Sequence, residues 1–158
     1  MIAQAKAKGL KLAIAESLTG GMVCSALIAT AGASEVVLGG IVAYQDELKS
    51  QLLGVDSHLI ANQSAVDSEV AAQMANGVRL KLAQKTGVDL GDVIGIATTG
   101  VAGPDPVGPH LAGKVFIAVS SHLGTKVFQE QFSGDRQQVR QQATARAIEV
   151  LGEEIALG

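Results

Sequence analysis

Three side chains able to take part in acyl transfer, Ser34, Tyr44 and Lys49, fall within sixteen positions of the stretch GASEVVLGGIVAYQDELK. A serine hydroxyl is a poor nucleophile until a base removes its proton, and a lysine in a buried or electropositive site can do this. Tyr44, the only tyrosine in the chain, could relay a proton or position a substrate. The same residues also read as a turn serine, a core-edge phenol and a solvated helix charge. A straight ten-residue strand spans about 33 Å. Ser34 therefore meets Tyr44 only if a bulge at Gly39 and Gly40, or the tertiary fold, returns the chain.

Two further groups suit an anion. In AESLTGG, Ser17, Thr19, Gly20 and Gly21 lie between an apolar run and a helical one. That is the usual way to aim free backbone N–H groups at a phosphate or carboxylate. Ser17 or Thr19 acting only as a helix cap is the competing reading. No Walker lysine follows and no GxGxxG is present. In SGDRQQVR, Asp135 is a candidate N-cap, and Arg136 and Arg140, four apart, share one face of a helix start. They suit a phosphate, or else form a surface pair. His58, His110 and His122 have no metal-ligand spacing, so no metal site and no cofactor is expected.

The elements that must position these groups follow from periodicity and punctuation. Helices are expected over Ala3 to Lys8, Met22 to Ala29, Gln45 to Leu53, Ser64 to Gln84 and Asp135 to Leu157, with a turn at Ser57 to Ile60. Strands are expected at Leu10 to Ala15, Val36 to Ala43 and Val93 to Ala97, with a hairpin of Lys114 to Ser120 and Lys126 to Phe132. Thr98 to Gly113 holds all three prolines and four glycines, so it reads as a functional loop. Helices alternating with short apolar strands predict one α/β domain, a three-layer α/β/α sandwich with a mixed, mostly parallel sheet of about five strands.

Composition narrows the class. At 158 residues, with 47% hydrophobic and 17% charged residues, the chain builds its core from small aliphatics. A net charge of -3 and a pI near 5.5 argue against nucleic acid as a partner and leave room for a small anionic ligand. The lone Cys24 reads as a packed core thiol, which fits a reducing cytoplasm. No segment approaches the roughly 20 apolar residues that span a bilayer, so no membrane association is expected.

AESLTGG, GGIVAYQDELKSQLLGV, TTGVAGPD and SGDRQQVRQQA, in this order and with fitting gaps, resemble the carboxy-terminal domain of the CinA proteins, the nicotinamide-nucleotide amidohydrolases. The resemblance covers essentially the whole chain. It implies metal-free hydrolysis of the carboxamide of nicotinamide mononucleotide to nicotinic acid mononucleotide and ammonia. It implies Ser34 as nucleophile, with Lys49 accepting its proton directly or through Tyr44. Thr19, Gly20 and Gly21, with Ser17, would line the nucleotide site. Thr99, Gly100, Gly103 and Asp105 would wrap the ribose or nicotinamide, and Arg136 and Arg140 would be candidates for the phosphate. It further implies a homo-oligomer and, since many relatives carry an additional amino-terminal domain, a stand-alone form. Two departures stand out: Leu18 replaces a common cysteine, and Val36 replaces a large aromatic, which bears on how a nicotinamide ring would stack. Two other classes stay open, a nucleotide-binding module without turnover and an interaction domain linked to competence or DNA damage.

Overall fold

A computed structural model describes residues 1–158. In chain order the elements are α1 (Ile2–Ala7), β1 (Lys11–Glu16), α2 (Met22–Ile28), β2 (Val37–Val42), α3 (Asp46–Leu53), α4 (Ser57–Gln63), α5 (Ser68–Thr86), β3 (Val93–Gly100), β4 (Lys114–Ser121), β5 (Gly124–Gln131) and α6 (Arg136–Leu157). The five strands form one sheet in the order β2-β1-β3-β4-β5. β1 pairs in parallel with β2 and β3, whereas β3–β4 and β4–β5 are antiparallel. The expected mixed sheet is present, but its pairings are evenly divided rather than mostly parallel, because the closing hairpin contributes two antiparallel neighbours.

Alternation along the strands separates two cores. Leu12, Ile14, Ile94, Ile96, Val115 and Ile117 face α1, α2 and α6. Ala13, Ala15, Ala97 and Ala118 face α5, together with its Val70, Met74, Ala75 and Val78. The small residues on the second face let α5 lie close against the sheet. A β-carbon at Gly95 would lie 2.2 Å from the Ala75 carbonyl oxygen, and one at Gly77 would lie 1.8 Å from that of Leu53. Arg79, almost wholly buried in α5, spans the start of β3 by donating from Nε to Val93 O (2.7 Å) and from Nη2 to Leu90 O (2.8 Å). Burial lowers its pKa below the ordinary arginine value.

Several boundaries differ from the sequence expectation for local reasons. Ser57–Gln63 is a helix, capped by Asp56 accepting from His58 N. α5 begins four residues later than expected, because Ser64 has φ 89° and Asp67 provides the cap, accepting from Glu69 N and Val70 N. β2 does bulge, but at Leu38, one residue before the expected Gly39 and Gly40. Leu12 faces Val37 while Ala13 faces Gly39, so Leu38 is the extra residue, and Gly40 lies where a β-carbon would come 3.1 Å from Cys24 Sγ. Asp135 and Gln138 form a capping box at the start of α6.

The helical glycines give a paired test. Gly77→Ala drives a methyl into the Leu53 carbonyl and is expected to destabilise by about 3 kcal/mol or more. Gly152→Ala in α6 meets nothing within 4 Å and is expected to stabilise by about 0.5–1 kcal/mol. Urea unfolding of the two variants against the parent checks both signs.

Candidate active site

A cleft of about 300 Å³ opens at the carboxyl ends of β1, β2 and β3. This is where the strand order turns, since β2 lies on one side of β1 and β3 on the other. Ligands of open α/β sheets bind at such a point. Ser17 and Leu18 follow β1, Tyr44 and Lys49 follow β2, and Thr99, Gly100 and Gly103 come from the end of β3 and its loop. The exposed loop residue Asp105 and Arg136, at the start of α6, complete the predicted lining residues.

Lys49 is only 2% exposed. It belongs to α3 with its side chain buried, and Nζ donates to Asp46 Oδ1 (3.0 Å) and to the Tyr44 main-chain carbonyl (3.2 Å). An ammonium has three donors, so these two bonds leave one for a ligand. The Tyr44 phenol does not meet Lys49. It is half-exposed and accepts from Arg136 Nη2 at 2.9 Å, while Arg136 Nη1 donates to Gly103 O at 2.9 Å. A proton relay from lysine to phenol therefore has no support in the geometry, although both residues line the cleft.

Ser34 stands apart. It sits in a 3-10 turn, Ala33–Glu35, at the amino end of β2, exposed beside Lys6, Lys11 and Glu35. The six residues of β2 put about 20 Å between the two ends of the strand. The bulge at Leu38 does not turn the chain back, so within one copy Ser34 does not join Tyr44 and Lys49. The serine in the cleft is Ser17, 8% exposed, whose hydroxyl makes no hydrogen bond to another protein group. Val36 is fully buried among α1 and α2 side chains, so its exchange for an aromatic alters the core and not the cleft.

The AESLTGG turn also differs from expectation. The amides at the start of α2 are already taken, because the buried Glu16 carboxylate accepts from Gly21 N (2.9 Å), Val23 N (3.1 Å) and Cys24 N (2.8 Å). An internal anion thus occupies the place proposed for a phosphate. Thr19 is buried, its hydroxyl 2.8 Å from that of Thr98, and neither it nor Gly20 nor Gly21 reaches the cleft. Arg140 is committed as well. It donates from Nε to Leu18 O (2.9 Å) and from Nη2 to Thr19 O (3.1 Å), pinning the turn from across the domain. Arg136 is the arginine of the pair that lines the cleft. Burial first, then the negative charge of Glu16, pushes the Cys24 thiol up, as befits a packed thiol.

Glu16, Asp46 and the segment Ser64 to Val66 are parts of the site that sequence reasoning missed. Glu16 and Asp46 carried a signal, a carboxylate just before a helix and one a turn before a lysine. Ser64 carried none. It is the only non-glycine residue with positive φ, and its hydroxyl accepts from Val66 N at 3.2 Å. Thr99 Oγ1 donates to Ala65 O at 2.7 Å, fixing this wall against β3.

The family model for the CinA C-terminal domain matches residues 1–155. A CinA-like protein of Frankia casuarinae is 41% identical over 140 residues, covering 89% of this chain and 30% of its own length. One from Anaeromyxobacter sp. (strain K) is 39% identical over 152 residues, covering 96% and 35%. The chain thus spans about a third of the length of these curated relatives. Among solved structures, a competence-damaged protein (CinA) superfamily protein of Klebsiella pneumoniae superposes with TM-score 0.87 at 33% identity, over 99% of this chain and 94% of its own. One from Escherichia coli gives 0.85 at 31%, over 94% and 83%. Sequence and fold agree along the whole chain, which belongs to the CinA C-terminal domain family.

Proposed function

We propose that this domain is a metal-independent amidohydrolase acting on the carboxamide of nicotinamide mononucleotide, with Ser17 as nucleophile and Lys49 as its base. The observation that carries this reading is the meeting, in one cleft, of a serine hydroxyl without a protein partner and a buried lysine with one position on Nζ open. The nature of the substrate rests on the motif resemblance. With Lys49 as the unprotonated amine, its two N–H groups on Asp46 and the Tyr44 carbonyl and its lone pair in the remaining position, Ser17 Oγ attacks the carboxamide carbon as its proton passes to Lys49 Nζ. The amide of Leu18, which lines the cleft and bonds to no other backbone group, is available to the oxyanion. Collapse of the tetrahedral intermediate returns the proton to the departing nitrogen, and ammonia leaves. Water then attacks the ester, Lys49 again moving the proton, and nicotinic acid mononucleotide and free Ser17 result.

The phosphate goes to Arg136. Two of its five donors hold Gly103 O and the Tyr44 phenol, leaving the rest for oxygens at the start of a 22-residue helix. One observation favours a second reading, a nucleotide-binding module. The Lys49–Asp46 pair suits a cation held for an anionic ligand as well as it suits a base.

Ammonia release from nicotinamide mononucleotide separates the two. Ser17→Ala is expected to lower kcat by about 10³-fold or more, and Lys49→Met by about 10²–10⁴-fold, with folding intact by circular dichroism. Tight nucleotide binding with no ammonia from the parent protein would establish the module instead.

Arg136→Met is expected to raise KM by about 10–100-fold with kcat within a few-fold of the parent, the signature of lost binding common to ground and transition states. A kcat loss at constant KM would remove the phosphate from Arg136.

A further inference from the structure

The last residues of β3 join two walls of the cleft. Successive side chains of a strand point to opposite faces of its sheet. The Thr98 hydroxyl lies on the α2 face, 2.8 Å from that of Thr19, and the Thr98 main-chain oxygen accepts from Ser17 N at 3.0 Å. The Thr99 hydroxyl lies on the α5 face and donates to Ala65 O at 2.7 Å. The Ser17 turn and the segment Ser64 to Val66 are therefore tied to adjacent residues of one strand, from opposite sides of the sheet end.

The second segment is held in an uncommon shape. Ser64 has φ 89° and ψ 156°, a region that glycine alone occupies freely. Three bonds keep it there: Ser64 N donates to Ile60 O (2.9 Å), Val66 N donates to Ser64 Oγ (3.2 Å), and Thr99 holds the Ala65 carbonyl. The consequence falls on the next amide. In a continuing α4, Ala65 N would donate to Ala61 O. The turn at Ser64 breaks that path, and Ala65 N donates to no group of the chain, although Ala65 is half-buried and lines the cleft. Backbone strain is retained where a site uses the geometry it gives, and a shielded amide without an acceptor asks for one.

We infer that the main-chain amide of Ala65 is the second donor of the oxyanion hole, opposite that of Leu18. The inference rests on the amidase reading. Attack by Ser17 Oγ turns the carboxamide oxygen into an alkoxide, and one N–H meets only part of the charge that develops on it. The Leu18 amide, next to the nucleophile, comes from the β1 turn, and the Ala65 amide comes from the α5 side of the sheet end. Donors fixed before the reaction need no reorganisation when the charge appears. Ser64 and Thr99 are positioning residues here: the first sets the direction of the Ala65 amide through its backbone angles, and the second anchors the Ala65 carbonyl.

The test removes the one N–H. Ala65→lactic acid in the full chain replaces the Ser64–Ala65 amide by an ester and keeps every other side chain. The Ser64 carbonyl, which an ester weakens as an acceptor, has no donor to lose. Ammonia release from nicotinamide mononucleotide is expected to show kcat lowered by about 10²-fold or more with KM within a few-fold of the parent. Thr99→Val is expected to lower kcat by about 10-fold at nearly constant KM, and Thr99→Ser, which keeps the hydroxyl, to restore most of it. A merely structural role would not divide kcat from KM in this way, and circular dichroism checks that each variant is folded. An ester variant with the kcat of the parent, or Thr99→Ser no better than Thr99→Val, would overturn the inference and leave the amidase reading standing. A parent protein that releases no ammonia would overturn both.

Discussion

Glu16 ends β1 with its carboxylate out of solvent and three amides of α2 directed onto it. A buried carboxylate without such donors would be too costly to keep ionised, and a buried helix start without an acceptor would leave its amides unsatisfied. Each solves the other's problem. The chain between them has little freedom left, because Ser17 N donates to Thr98 O, Thr19 is tied to Thr98, and Arg140 holds the carbonyls of Leu18 and Thr19. The result is a rigid turn that presents one hydroxyl, that of Ser17, to the cleft. Rigidity of this kind is what positioning a nucleophile requires.

The rest of the fold brings a second wall to that turn. Alanines and glycines on one face of β1 and β3 let α5 approach closely, and α3 follows, packed on α5 through Gly77. α3 carries Lys49 into the cleft with its stem buried, and Asp46 one turn earlier fixes the direction of Nζ. Arg136 joins α6, the Gly103 loop and Tyr44 across the open side. Serine, lysine and arginine thus come from three separate segments, the turn after β1, α3 after β2 and the terminal helix α6, and their relative positions are set by sheet packing more than by any local motif.

Much of the fold was legible because it depends on local rules. The alternation of Leu12 and Ile14 with Ala13 and Ala15, the bulge at Leu38 beside the Gly39–Gly40 pair, the Asp135 cap and the glycine stops at Gly54 and Gly87 all act within a few residues of where they are read. β3 continues through Thr98 and Thr99 because β4 pairs with them, which the β3 sequence by itself does not announce. The site was legible in composition but not in arrangement. Lys49, Tyr44, Thr99, Gly100, Gly103, Asp105, Arg136 and Ser17 line one cleft. Ser34 does not, because closeness in sequence across a strand is distance in space. Arg140 and the Thr19–Gly21 turn were misread for the opposite reason, since their partners, Leu18, Thr19, Thr98 and Glu16, lie within the protein.

The most direct measurement is a crystal structure of the Ser17→Ala variant with nicotinamide mononucleotide. The account predicts the carboxamide carbon against the substituted side chain at position 17 and within reach of Lys49 Nζ, with the phosphate on Arg136. A nucleotide bound elsewhere, or one whose carboxamide points away from position 17 and Lys49, would contradict it.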